Sequence, residues 1–515
     1  MLRITTTENG KVKGLPAADP RVTAFKGIPF AAPPVGELRW RPPQPAANWE
    51  GVRTCYEFAP IPMQDIPGKN PDAFYAREFH VDPDIPMSED CLYLNVWTPA
   101  KKADEKLPVM MWIYGGGSRT GYTAEMEFDG ERMARRGVIL VSVAYRVNAF
   151  GYLANNEIIA ESGDGCFGNY GLLDQLEALK WIKRNIAAFG GDPNNVTIFG
   201  QSAGAGSVLC HTGSPMSRGY FHKTIAHSGG GLRTFGQGKF FLYLDEAKKV
   251  AADFYALLGV TSLAEARKLD AKTVSEAAGK LTGPLIYGPI IDGKFLTMDP
   301  TDVILRNEHP DMPYMFGYTG AEYDNLQTGA IKTLDEFEAA AKKIYGERAD
   351  DFLKLCNVKT DEEARALYTS DDVFLGRCVN SIAFALKQHE LGRKNNYCYR
   401  FEPTIPGWDN PGAFHSSDLW FAFETLAKCW RPFTGAHYDL ARIMCNYWTN
   451  FAKTGDPNGN DADGAPMPQW RAFTGDDQFI ISLRENITRH EGIMTDLMKF
   501  RLDYIADLIR AKDFS

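Results

Sequence analysis

The stretch Val196-Thr-Ile-Phe-Gly-Gln-Ser-Ala-Gly-Ala-Gly-Ser207 decides how this chain is read. A β-branched and aromatic run halts at Gly200, and a serine, Ser202, follows with Gly200, Ala203 and Gly204 close around it. Gly200-Gln201-Ser202-Ala203-Gly204 fits G-x-S-x-G, in which a serine is held up on a sharp strand-to-helix turn. The flanking residues must be small there because the backbone passes close by. A helix starting just after the serine aims its dipole and free amides at it. With 48 glycines, the bare pattern arises by chance at roughly a few tenths per chain, so its surroundings must decide between a nucleophile and a tight bend.

Those surroundings alternate strand and helix. "LPVMMWIY" (107–114) is a continuous apolar run ending in three glycines, and "VILVSVAYR" (138–146) is another. The amphipathic "LLDQLEALKWIKRNIAAFG" (172–190) has helical spacing and precedes "VTIF"; "KTIAHSG" (223–229) comes after the next helix. Apolar strands separated by helices predict a mostly parallel sheet covered on both faces. The middle, about 240–390, is rich in helix formers and interrupted by one strand, "PYMFGYT" (313–319). "YCYRFE" (397–402) and "FIISL" (479–483) read as strands, and the C-terminal segment as a helix. With no repeat and no Gly/Ser linker, residues 1–515 read as one domain whose insertions, around 60–87 and 240–390, wall a pocket.

The composition restricts what the chain acts on. A net charge of -9 and a pI near 5.6 speak against a nucleic-acid partner. No apolar run has the length of a membrane span. The nine cysteines are scattered without CxxC pairs, so neither a disulfide framework nor a zinc site is expected. "MLRITTTENGKVKG" reads as a strand-turn-strand and not as a signal peptide. Together these features predict a cytoplasmic location.

"WIYGGGS" (112–118) leaves another predicted central strand, and its consecutive glycines let backbone amides point into a cavity, as a developing oxyanion requires. A phosphate loop would need a following G-K-[ST], which is absent. Gly116, Gly117 and the amide of Ala203 are the expected oxyanion donors.

Longer segments carry a resemblance. "FKGIPFAAPPVGELRW" (25–40), "SEDCLYLNVW" (88–97), "YRVNAFGYL" (145–153), "NYGLLDQLEALKWIKRNIAAFGGDPNNVTIFGQSAG" (169–204) and "WTNFAKTGDPN" (448–458) occur in the order seen in the type B carboxylesterases, which include the cholinesterases. The chain resembles that family almost end to end. The resemblance implies an α/β-hydrolase fold with helical insertions, and buried ion pairs here placed as Arg39 with Glu89 and Arg146 with Asp174. It also implies a Ser–Glu–His triad and no metal or organic cofactor. The acid motif matches Gly317 and Glu322 in "GYTGAEYDN", although Ala321 and Tyr323 flank the glutamate unusually; Asp324 is its rival. The base motif matches "GAFHSSDLWFAF", with His415 just before a helix start at Ser416 or Ser417, and Asp418 standing where relatives often have glutamate. Of the other late histidines, His389 falls on a solvated helix face, His490 in a charged segment, and His437 at a helix start. Ser228, in "AHSGG", matches a serine that supports the triad in relatives; a turn serine is the alternative reading.

Departures from the family narrow the substrate. Gln201 replaces a common glutamate, and no tryptophan lies between Trp49 and Trp97, so a choline ester lacks both its cation–π partner and its carboxylate. Ser118-Arg119 follows the glycines where relatives carry a large residue. A small Ser118 leaves a roomier or more polar acyl site, and Arg119 either meets an anionic substrate or turns to solvent. Pro62 takes the place of the cysteine that secreted relatives pair with Cys91. The expected activity is serine-dependent hydrolysis of small to medium carboxylic esters through an acyl-enzyme. A specialised esterase for feruloyl, acetylated-sugar or multi-ester compounds, and a non-catalytic cholinesterase-like binding protein, are the rivals. The oligomeric state is left open.

Overall fold

The apolar runs assemble into one sheet of 11 strands. The computed structural model describes residues 1–229, 232, 241–282, 286–322, 331–370 and 376–511. The strands are β1 (Leu15–Pro16), β2 (Thr23–Pro29), β3 (Tyr93–Thr98), β4 (Leu107–Ile113), β5 (Ile139–Val143), β6 (Gly191–Gln201), β7 (Lys223–His227), β8 (Tyr314–Thr319), β9 (Asn396–Phe401), β10 (Ile480–Leu483) and β11 (Thr488–Arg489). Their spatial order is β11-β10-β9-β8-β7-β6-β4-β5-β3-β2-β1. From β5 to β10 neighbours run parallel, and the pairings beyond them at both ends are antiparallel.

A parallel strand is covered on both sides, which is why β5 is buried throughout and reads as an unbroken apolar run. The principal helices are α1 (Tyr170–Asn185), α2 (Ala203–Gly213), α3 (Arg377–Glu390), α4 (Asp418–Ala422), α5 (Gly435–Thr454) and α6 (Asp496–Arg510). Successive residues of β7 show that both faces are used, because neighbours on a strand point opposite ways. Ala226 packs with Ala205 and Val208 of α2, whereas His227 meets Trp448 of α5. Among the described residues no helix is long and apolar enough to cross a membrane.

Small pairings join Ile61–Pro62 to Met87–Ser88 and Leu242–Tyr243 to Ile290–Ile291. Two-residue strands carry no readable alternation, so neither was legible in the sequence. The predicted N-terminal strand-turn-strand is present as Ile4–Thr7 paired with Gly10–Lys13. Within 60–87, the short helix Phe74–Glu78 lies against the His415 loop: the Phe74 and Phe414 rings meet edge to face at 4.8 Å, and the Tyr75 hydroxyl donates to the His415 carbonyl at 3.1 Å.

Both expected ion pairs form. Arg39 grips Glu89 at 2.5 and 2.7 Å, and Arg146 grips Asp174 at 2.8 and 2.7 Å while its own backbone N–H donates to the same carboxylate. Arg146 and Asp174 are buried, so each charge is tolerated only because the other satisfies it. Asp174→Ala, which strands the Arg146 guanidinium, is therefore expected to lower stability by about 3–5 kcal/mol. A urea midpoint within error of wild type would contradict that role.

Candidate active site

Strand β6 ends at Gln201 and α2 begins at Ala203, so the whole change of direction falls on Ser202. Its backbone sits at φ 55°, ψ −119°, a conformation costing a non-glycine residue about 1–3 kcal/mol. The turn is held from outside: the Ser202 N–H donates to the His227 carbonyl at 2.9 Å, and its own carbonyl accepts the Gly206 N–H at 2.9 Å. Gly204 shows why the flanks are small, since a Cβ there would lie 2.1 Å from the Ile113 carbonyl oxygen at the end of β4.

His415 reaches the turn from the loop before α4. Its Nδ1 lies 2.7 Å from Glu322 Oε2, and its Nε2 lies 3.1 Å from Nε2 of Gln201, the residue beside Ser202. The Gln201 amide donates into the Nε2 lone pair, which leaves the proton on Nδ1, directed at Glu322. Helix α4 starts at Asp418 with Ser417 as its N-cap, one residue later than the sequence suggested for the latest start. Glu322 follows β8 and is buried, and its Oε1 takes the Thr319 N–H at 2.9 Å. The rival Asp324, with Tyr323, lies outside the described residues.

Arg377, at the start of α3, donates to Glu322 Oε2 and stands 2.8 Å from His415 Nδ1. Burial pushes the Glu322 carboxyl up, but the Arg377 cation and the His415 ring outweigh it and hold it at about 2. Burial lowers the His415 pKa below 6.5, Arg377 lowers it further, and Glu322 opposes both. Sequence reading missed Arg377, because an arginine at a helix start 55 residues from Glu322 carries no local signal.

The glycine loop lies against the serine turn: a Cβ on Gly115 would meet Gln201 Oε1 at 2.9 Å and Ser202 Cβ at 3.2 Å. Gly116 (φ 104°) and Gly117 (φ 65°) are exposed, and among the described residues their N–H groups and that of Ala203 have no acceptor. Ser118 is buried at φ 60°, its carbonyl taking the Asn148 N–H at 2.7 Å and its hydroxyl near Tyr152. Arg119 is half-buried, its guanidinium 5.8 Å from the centre of the Tyr287 ring, so it is not simply turned to solvent.

Ser228 is buried at φ 53°, with its N–H on the Gly317 carbonyl at 2.8 Å. Its hydroxyl is one of the groups that lower the Glu322 pKa, from a position outside strict hydrogen-bond geometry. The remaining late histidines are elsewhere: His389 is exposed on α3, His437 caps the start of α5 through Thr434, and His490 lies between Arg400 and Glu402.

The sequence profile of the carboxylesterase family matches residues 2–500. Fumonisin B1 esterase of Sphingopyxis macrogoltabida is 34% identical over 470 residues, covering 88% of this chain and 82% of that protein. Cholinesterase of Mus musculus is 32% identical over 517 residues, covering 93% and 83%. Solved structures of a PNB esterase and a thermophilic PNB esterase superimpose with TM-scores of 0.79 and 0.80, each 29% identical and covering 98% of this chain and 100% of its own. With the profile spanning nearly the whole chain and the sheet superimposing on known esterases, this protein belongs to the carboxylesterase family and is a carboxylic ester hydrolase of the α/β-hydrolase fold.

Proposed function

We propose that Ser202, His415 and Glu322 carry the hydrolysis, and that the substrates are small to medium carboxylic esters. The observation that supports this is the His415 ring, bonded through Nδ1 to a buried carboxylate and presenting an unprotonated Nε2 to the residue next to Ser202. Ser202 is unreactive at its own pKa, so the Nε2 lone pair takes its proton as Oγ attacks the ester carbonyl. Glu322 keeps the tautomer and stabilises the imidazolium. The amides of Gly116, Gly117 and Ala203 receive the oxyanion, each worth roughly 2.7–4 kcal/mol of barrier by analogy with measured donors. The imidazolium then protonates the leaving alcohol, and water, deprotonated by the same ring, releases the acid from the acyl-enzyme.

A narrower reading has its own observation. Arg119 follows the oxyanion loop, is half-buried, and has no carboxylate partner among the described residues. Such a cation suits an ester that also carries a carboxylate. Relatives are named for esters as different as fumonisin B1 and cocaine, so membership of the family leaves the choice of ester open.

Hydrolysis of p-nitrophenyl esters from C2 to C12 tests the general reading. Ser202→Ala should lose at least about 1000-fold in kcat; a folded wild type inert on every ester would favour the non-catalytic binding protein. The acid limb of kcat/KM against pH should lie below 6.5, since a depressed His415 pKa keeps the base neutral further down. Arg377→Met removes a cation that disfavours the imidazolium, so the limb should move to higher pH; an unmoved or lowered limb would remove Arg377 from that role. For Arg119→Gln, mono-p-nitrophenyl glutarate should lose about tenfold in kcat/KM while p-nitrophenyl valerate changes little. Equal changes on both esters would end the anionic-substrate reading.

A further inference from the structure

Behind the serine turn lies a second histidine–carboxylate pair that the chemistry above does not use. His227 closes β7, Asp418 opens α4, and both side chains are fully buried. His227 Nδ1 and Asp418 Oδ2 are 2.8 Å apart, and the Trp448 indole N–H donates to His227 Nε2 at 2.8 Å. An indole can only donate, so Nε2 is the unprotonated nitrogen and Nδ1 carries the proton, given to Asp418. The ring is thereby fixed as one neutral tautomer. The Tyr399 hydroxyl donates to the same Asp418 oxygen at 3.1 Å. The other oxygen, Oδ1, is buried with no donor among the described residues. A buried carboxylate satisfied on one side is costly, and such groups call for a reason other than stability.

The two ends of the pair supply one. The His227 carbonyl is the acceptor of the Ser202 N–H at 2.9 Å, so the imidazole and the serine turn are fastened to the same residue. Asp418 lies three residues after His415, at the start of a helix whose first bonds run back to that loop: Ser417 N–H to the Phe414 carbonyl at 3.0 Å, Leu419 N–H to the Ser416 carbonyl at 3.1 Å. One hydrogen bond across 191 residues of sequence therefore ties the mount of Ser202 to the mount of His415.

We propose that His227 and Asp418 are positioning residues that set the spacing between nucleophile and base. The inference rests on the assignment of Ser202 and His415 made above. Neither residue touches substrate, and neither exchanges a proton during the reaction. The pair acts as a strut: Trp448 locks the ring, the ring locks Asp418, and α4 carries that constraint to the His415 loop. Ordinary core packing would stabilise the fold without linking these two mounts, and it would be served by apolar side chains.

The test is steady-state kinetics on p-nitrophenyl butyrate, with circular dichroism as a fold check. Asp418→Ala should lower kcat about 100-fold, the order expected for a misplacement near 1 Å, with KM within about twofold. Asp418→Asn retains an oxygen that accepts the His227 N–H, and should recover kcat to within about fivefold of wild type. Should Asp418→Ala not fold, His227→Leu, which leaves Asp418 bonded to Tyr399, should show the same split between kcat and KM. A folded Asp418→Ala or His227→Leu enzyme with wild-type kcat, or losses in Asp418→Asn as large as in Asp418→Ala, would overturn the proposal. Ser202→Ala in the same assay separates the two failures, because activity surviving that change refutes the nucleophile assignment itself.

Discussion

The constraint on which the rest depends is the forced conformation of Ser202. A left-handed serine between a strand and a helix costs about 1–3 kcal/mol, and nothing local relieves it. It persists because the surroundings leave no alternative: β4 closes against Gly204, the Gly115 loop abuts Gln201, and the His227 carbonyl holds the Ser202 amide. The same closeness shapes the proposed site. The helix that must start immediately after the serine brings the Ala203 amide to the site, and the glycine loop that must pass beside it brings two more.

Buried charge gives the second layer of organisation. Arg146–Asp174 and Arg39–Glu89 brace the body of the fold. Around the proposed base, Arg431, itself buried, bonds Glu78 at 2.8 Å and Asp409 at 2.9 Å, holding the short helix of the 60–87 segment to the loop before His415. At the centre, burial alone would neutralise both Glu322 and His415, leaving an acid unable to support its base. Arg377 changes that balance, because its cation favours the ionised carboxylate and the neutral imidazole together, the combination general-base catalysis requires.

The solved esterases share the overall fold of this chain, whereas Ser118 and Arg119 are the positions beside the glycine loop on which a substrate preference was expected to turn. They are adjacent in sequence, yet one is turned into the protein beside Tyr152 and the other lies against Tyr287 at the edge of the glycine loop. Of the two, Arg119 is therefore the residue that the proposed preference for an anionic ester rests on.

What the sequence by itself determined was local. Continuous apolar runs marked the strands of the parallel sheet, a helical period marked α1, and small residues around a serine marked the turn, because each is set by neighbours within a few positions. His415 and Glu322 were expected from the family's base and acid motifs, and their side chains meet at 2.7 Å; both ion pairs expected from the resemblance also form. The tertiary structure alone decided what meets in and around the proposed triad: Arg377 on Glu322, Gln201 on His415 Nε2, and His227 on Asp418. Those partners come from strand ends, loops and helix starts far apart in sequence, brought together only when the helices and loops pack around the sheet. No spacing along the chain encodes a hydrogen bond between residues 191 positions apart, since its geometry exists only once the sheet has closed.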